Sequence, residues 1–202
     1  MRHEIPVFRK RPEARWQDVK YRRIDFSHPD IDRYCATLRQ AYTNGSVDYA
    51  AFEAIDPDEF LSAYHCDFCD SRVPLTCFLE SNVVAEAFLL QPEGFDTGAG
   101  GLSEPRVTVT SKGGCEFEGL TADILLGGGA YGGPTPSVND AKTLATRFVS
   151  GLRTLAPDRP WWPRHVVGPW SGYFNDVAWD HTFAVQFIYD ARWFVLCATD
   201  TD

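Results

Sequence analysis

The sequence predicts one α+β domain, and three observations carry that prediction. Apolar residues recur at helical spacing near the N-terminus and again over about 137–155, two apolar runs near the C-terminus flank a short turn, and no βαβ alternation connects them. The expected architecture is a set of N-terminal helices followed by a mainly antiparallel sheet, with one long helix (about 137–155) packed on it.

Each element follows from a local signal. Ser27-His28-Pro29-Asp30 opens a helix, because proline fits its first turn and an acid there complements the dipole. Ile31, Tyr34, Cys35, Leu38, Ala41 and Tyr42 then keep to one face until Asn44-Gly45 stops it. Ser46 is read as the cap of a second helix carrying Val47, Ala50, Ala51 and Ala54, and Asp56-Pro57-Asp58-Glu59 as the start of a third, short one with Phe60, Leu61 and Tyr64. Beyond it the period changes: 75–79, 83–90, 106–110 and 115–126 read as strands, the last interrupted by Gly119, and 91–104 as a flexible loop. Ser137 and Asp140 open the long helix, whose stripe of Ala141, Leu144, Ala145, Phe148, Val149, Leu152 and Leu155 ends before Pro157. Thr182–Tyr189 and Trp193–Thr199 are apolar on both faces, which predicts central strands.

Composition bounds the rest. The chain has 202 residues, 44 % hydrophobic and 23 % charged, enough for a packed core without a staple. The reading is a single domain over 1–202, cytoplasmic, with no run near the ~20 apolar residues that cross a bilayer and no apolar stretch behind the first charges. Six cysteines are read as reduced thiols.

The net charge of -9 is unevenly spread. Residues 1–23 form a basic arm with eight Lys/Arg against three acids, whereas 44–70 hold seven acids and neither Lys nor Arg. An acidic body repels nucleic acid and attracts a basic partner.

Four constellations are candidates for chemistry. Cys66 and Cys69 form a Cys-x-x-Cys turn that, completed by Cys77 or His65, has ligand types suited to structural zinc; the reading prefers ordinary thiols and favours no cofactor. The glycines at 127–133 match G-x-G-x-x-G in form, but Pro134-Thr135-Pro136 separates them from the next helix, so a turned connection is preferred to a phosphate cradle. Trp161, Trp162, Trp170 and Tyr173 lie among prolines and glycines, as either a lid or a recognition surface. Asp180, His181 and Asp200, with His165, form the candidate acid–base set should the chain be an enzyme.

The reading expects a non-enzymatic, acidic protein-binding module, for instance an inhibitor or immunity-type protein against a basic toxin or nuclease, binding through the four aromatics with Asp56, Asp58 and Glu59. Membrane and nucleic acid are not expected partners. The alternatives are a small hydrolase or metal-dependent enzyme using the Asp/His set, and a zinc-stabilised module at Cys66/Cys69.

Overall fold

Strands apolar on both faces need cover on both, and the computed structural model supplies it. The structure describes residues 14–66, 72–88, 108–167, 170–171, 173–174 and 177–200. Six strands, β1 (Tyr21–Ile24), β2 (Ser46–Ala54), β3 (Thr108–Ser111), β4 (Trp162–Val167), β5 (His181–Phe187) and β6 (Arg192–Thr199), form one sheet in the order β1-β2-β6-β5-β4-β3. Every neighbouring pair is antiparallel. The helices are α1 (Pro29–Ala41), α2 (Pro57–Cys66), α3 (Arg72–Leu79), α4 (Asn82–Ala87), α5 (Gly114–Gly127) and α6 (Val138–Arg153).

Because side chains alternate along a strand, the central strands β2, β5 and β6 each feed two cores. Phe194, Leu196 and Ala198 of β6, with Phe183, Val185 and Phe187 of β5, pack against α1, α5 and α6. Trp193, Val195 and Cys197 point the other way, onto α2, α3 and α4. There Phe78 stacks on Trp193 with ring centroids 4.5 Å apart, and Phe52 meets Phe78 edge-on at 5.4 Å. The architecture is thus the expected α+β domain, with helices on both faces of an antiparallel sheet.

Several segments depart from their expected structure. Residues 46–54 are not a helix but β2, hydrogen-bonded between β1 and β6. Their alanines raise helix propensity, yet Ala50, Phe52 and Ala54 serve one core while Val47 and Ala51 serve the other, a period of two that tertiary pairing enforces. Conversely, 75–79, 83–87 and 115–126, expected as strands, lie in α3, α4 and α5. A short apolar run does not distinguish a buried strand from a buried helix, but in α5 the buried residues Phe117, Thr121, Ile124 and Leu125 follow the helical interval. Gly119 interrupts nothing, since open space surrounds its Cβ position.

The strand β4 was hidden by Pro163. It is tolerated near the start of the strand, just past the β3 ladder, where Lys112 N donates to its carbonyl at 2.9 Å and no proline N–H is required. The described part of the basic arm is built into the fold: Trp16 and Val19 are buried and 21–23 belong to β1. The flexible loop expected at 91–104 lies outside the described residues.

Candidate functional site

The acid–base candidates occupy the end of the sheet where β5 begins and β6 finishes. Asp180 is buried, accepting from Thr199 Oγ1 at 2.6 Å and from Val177 N at 3.0 Å. Asp200, equally buried, accepts from Asn44 N at 2.9 Å on one oxygen and from Ala130 N at 2.8 Å on the other. Each carboxylate oxygen holds a main-chain or hydroxyl donor, the arrangement of a loop anchor.

His165 and His181 meet across β4 and β5, Nε2 to Nδ1 at 3.1 Å. Burial, with His181 and Lys112 nearby, pushes His165 down to about 3, and burial pushes His181 down to about 4. Both rings stay neutral through the ordinary physiological range, well below the pKa that suits a general base near pH 7. Trp170 and Tyr173 belong to the same end. Trp170 is buried and donates Nε1–H to Thr182 Oγ1 at 2.8 Å, while Tyr173 accepts from Ser46 Oγ and donates to Asp48 Oδ2 at 3.1 Å.

Three of the candidate zinc ligands lie among the described residues. Cys66 is exposed at the end of α2, Cys77 is half-buried in α3 within the core, and His65 Nδ1 contacts Leu61 O at 2.8 Å. Cys69 lies outside the described residues. Among the described residues no group of three or more His, Cys, Asp or Glu side chains is placed to hold a metal ion.

The described acids of 44–70 are spread over β2 and the start of α2. Asp48 sits 3.7 Å from Arg39, and Glu53 accepts from Arg22 Nε at 2.8 Å and lies 3.7 Å from Arg192. Asp56 caps α2, accepting from Asp58 N and Glu59 N at 3.0 and 3.1 Å. Asp58 and Glu59 form the first turn of that helix, where negative charge complements the dipole. Asp67 and Asp70 lie outside the described residues.

What the fold does bring together is the other end of the sheet, at the β5–β6 hairpin. Trp162 pairs with Gln186, Gln186 with Trp193 and Trp193 with Phe52, one rung across four strands. One step further out, Ala54 N donates to Ala191 O, Ile55 N donates to Lys20 O, and a single 3-10 turn, Ile188–Asp190, closes the hairpin. Ile55 is 60 % exposed and Tyr189 56 %. They share this end with the half-buried Trp161 and Trp162, which open on a groove bounded by Arg153, Pro157, Asp158 and Arg159. Trp161 is braced by Phe117 edge-on at 5.6 Å and by the Arg153 guanidinium 4.7 Å above its ring. With strands about 4.8 Å apart, Phe52 on β2 and Trp162 on β4 stand roughly 14 Å from each other, and Ile55 lies three residues beyond Phe52. Asp56, Asp58 and Glu59 flank Ile55.

Behind this rim lies a polar pair that the sequence reading passed over. Arg164 and Gln186 are 4 % and 1 % exposed on the α2–α4 face, with Arg164 Nη1 donating to Gln186 Oε1 at 3.1 Å. Their common face with Trp162 was legible in the two-residue spacing of Trp162 and Arg164, but only once 162–167 is known to be a strand. Ile55 and Tyr189 carried no sequence signal beyond their own hydrophobicity.

The chain matches no protein-family model, and neither a curated protein nor a solved structure shows significant similarity to it. Among the described residues no helix is long and apolar enough to cross a membrane.

Proposed function

We propose that this domain is a non-enzymatic protein-binding module that docks a partner on the hairpin end of its sheet. The observation carrying the reading is the placement of Ile55 and Tyr189. They are two of four strongly exposed large hydrophobic residues among those described, and they share one sheet end with Trp161 and Trp162. Rigid aromatic and aliphatic anchors ringed by charge are the composition of a binding hot spot. The partner presents a basic patch, because Asp56, Asp58 and Glu59 border Ile55 and the whole chain carries a charge of -9. An inhibitor or immunity-type protein that covers a cationic cleft is one concrete form.

Catalysis at Asp180, Asp200 and the histidines is the weaker reading, since the carboxylates are occupied by loop donors and the imidazoles are held neutral. The test is affinity capture from a lysate of the source cells with wild type and with Ile55→Arg/Tyr189→Ala. A stoichiometric protein retained by wild type, released by salt and missing from the equally stable variant is the expected result. Equal retention by both proteins would exclude this surface.

A further inference from the structure

A strand at the edge of an antiparallel sheet pairs on one side only, so every second residue turns its N–H and C=O away from the sheet. β1 is such an edge. Ile55 N donates to Lys20 O at 2.8 Å, while Ala54 N, opposite Tyr21, donates to Ala191 O on the β6 side. Lys20, Arg22 and Ile24 therefore bond β2, and Tyr21 and Arg23 direct their N–H and C=O outward. Among the described residues no main-chain partner meets these outward groups.

The edge is walled rather than bare. Tyr21, Arg22, Arg23, Ser81, Asn82 and Glu86 line a groove of about 660 Å³ between β1 and the α3–α4 segment. Unpaired main chain along a groove takes an extended segment, because a strand repeats its donors and acceptors at the same spacing of about 7 Å.

Charge selects the segment. Tyr21 packs into the α2–α4 core and Ile24 against the other, so Arg23 shares the α4 side while Lys20 and Arg22 lie on the opposite face. On that opposite face Arg22 and Arg192 share one carboxylate, Glu53, which leaves a surplus of positive charge. Lys20 and Arg22 also hold the positions where side chains of an added strand come closest. On the α4 side Glu80 and Glu86 offset Arg23. A second copy of β1 fits badly. Two-fold pairing centred on Arg22 or on Arg23 sets that arginine against itself, and pairing centred on Tyr21 sets Lys20 against Arg22.

We infer that β1 accepts an extended segment of a partner protein as a seventh strand of the six-stranded sheet. Its residues are alternately acidic, beside Lys20 and Arg22, and small and uncharged, beside α4. The site is independent of docking at the hairpin end and stands if that reading fails.

The probe is acetyl-Thr-Glu-Thr-Glu-Thr-Glu-Thr-amide, added to isotope-labelled protein and followed by amide hydrogen exchange in NMR spectra. In the free protein the Tyr21 and Arg23 amides should exchange fast and those of Arg22 and Ile24 slowly. Saturating peptide is expected to slow Tyr21 and Arg23 by at least about tenfold, with an affinity that falls as salt rises. Peptides with Lys in place of Glu, or N-methylated at each Thr so that the N–H facing β1 is lost, should give no slowing. Arg23→Pro deletes one outward donor and spares the β2 ladder, at a position where edge strands tolerate proline. It should keep its Tm within about 4 °C of wild type and bind the peptide at least about tenfold more weakly. Slow Tyr21 and Arg23 exchange in the free monomer would mean that the chain covers its own edge, and slowing that grows with protein concentration would mean that a second copy does. Slowing by the N-methylated peptide equal to that by its parent, or none by the parent at millimolar concentration, would mean that no strand is added. Each of these results would overturn the assignment, and the peptide comparison decides it even where Arg23→Pro fails to fold.

Discussion

Asp200 and Gly129 are in such close approach that a Cβ on the glycine would lie 2.2 Å from Asp200 Oδ2. The same oxygen accepts Ala130 N–H, while the other accepts Asn44 N–H, so one buried carboxylate ties the α5–α6 connection to the turn after α1. Asp200→Ala strands two main-chain donors and is expected to cost about 2–4 kcal/mol. Gly129→Ala should cost at least as much, because its Cβ also meets Ala41 O at 2.5 Å. Urea unfolding checks both. Neutral effects would show that the glycine segment does not depend on this anchor.

The histidine pair sets an acid limit on stability. An unfolded chain protonates its histidines near pH 6.5, whereas in the fold His165 and His181 wait until about pH 3 and 4. The unfolded state therefore binds more protons below pH 6.5. Stability is full above that pH and declines as pH falls toward 4, by up to about 1.4 kcal/mol per pH unit for each ring. His165→Gln/His181→Gln should flatten the decline between pH 6.5 and 5. Superimposable profiles for variant and wild type would remove the pair from the account.

How much of this was legible depended on whether local and tertiary signals agreed. For α1 and α6 they did: Pro29 and Ser137 start the helices, and the apolar stripes bury as their spacing requires. For β5 and β6 the double-sided hydrophobicity pointed directly to central strands. At β2 they conflicted, because Ala50, Ala51 and Ala54 suit a helix and only pairing with β1 and β6 makes them a strand. The candidate site was half legible. Trp161 and Trp162 stood out by size, but their company with Ile55 and Tyr189 follows from strand register, which no local pattern encodes. Arg164 and Gln186, 22 positions apart, become neighbours only through the β4–β5 ladder.

The rim separates anchors from core in a measurable way. Ile55→Ala and Tyr189→Ala remove exposed side chains and should change stability by no more than about 0.5 kcal/mol, while an anchor lost from an interface costs on the order of 2 kcal/mol of binding. Trp170→Ala is the internal contrast, since it removes a buried ring and the hydrogen bond to Thr182 and should lose about 3–5 kcal/mol of folding stability. Calorimetry with the captured partner, beside urea unfolding, distinguishes the two classes. Full affinity in the Ile55 and Tyr189 variants would move the interface elsewhere.

Charge around Ile55 should act on the encounter rather than on the bound state. Asp48 and Glu53 already face Arg39, Arg22 and Arg192, and Asp56 holds the first turn of α2, so reversals at those positions would damage the fold as well as the field. Asp58→Lys with Glu59→Lys confines the change to the helix start, where the dipole disfavours each lysine by about 0.3–1 kcal/mol. Against a basic partner, the double reversal should slow association and flatten its dependence on salt, leaving dissociation nearly unchanged, because steering works over a Debye length of about 8–10 Å. Stopped-flow association from low to physiological ionic strength reads both slopes. Parallel slopes for the two proteins would mean that the carboxylates serve α2 alone and that the partner is chosen by Ile55, Tyr189 and the tryptophans without electrostatic steering.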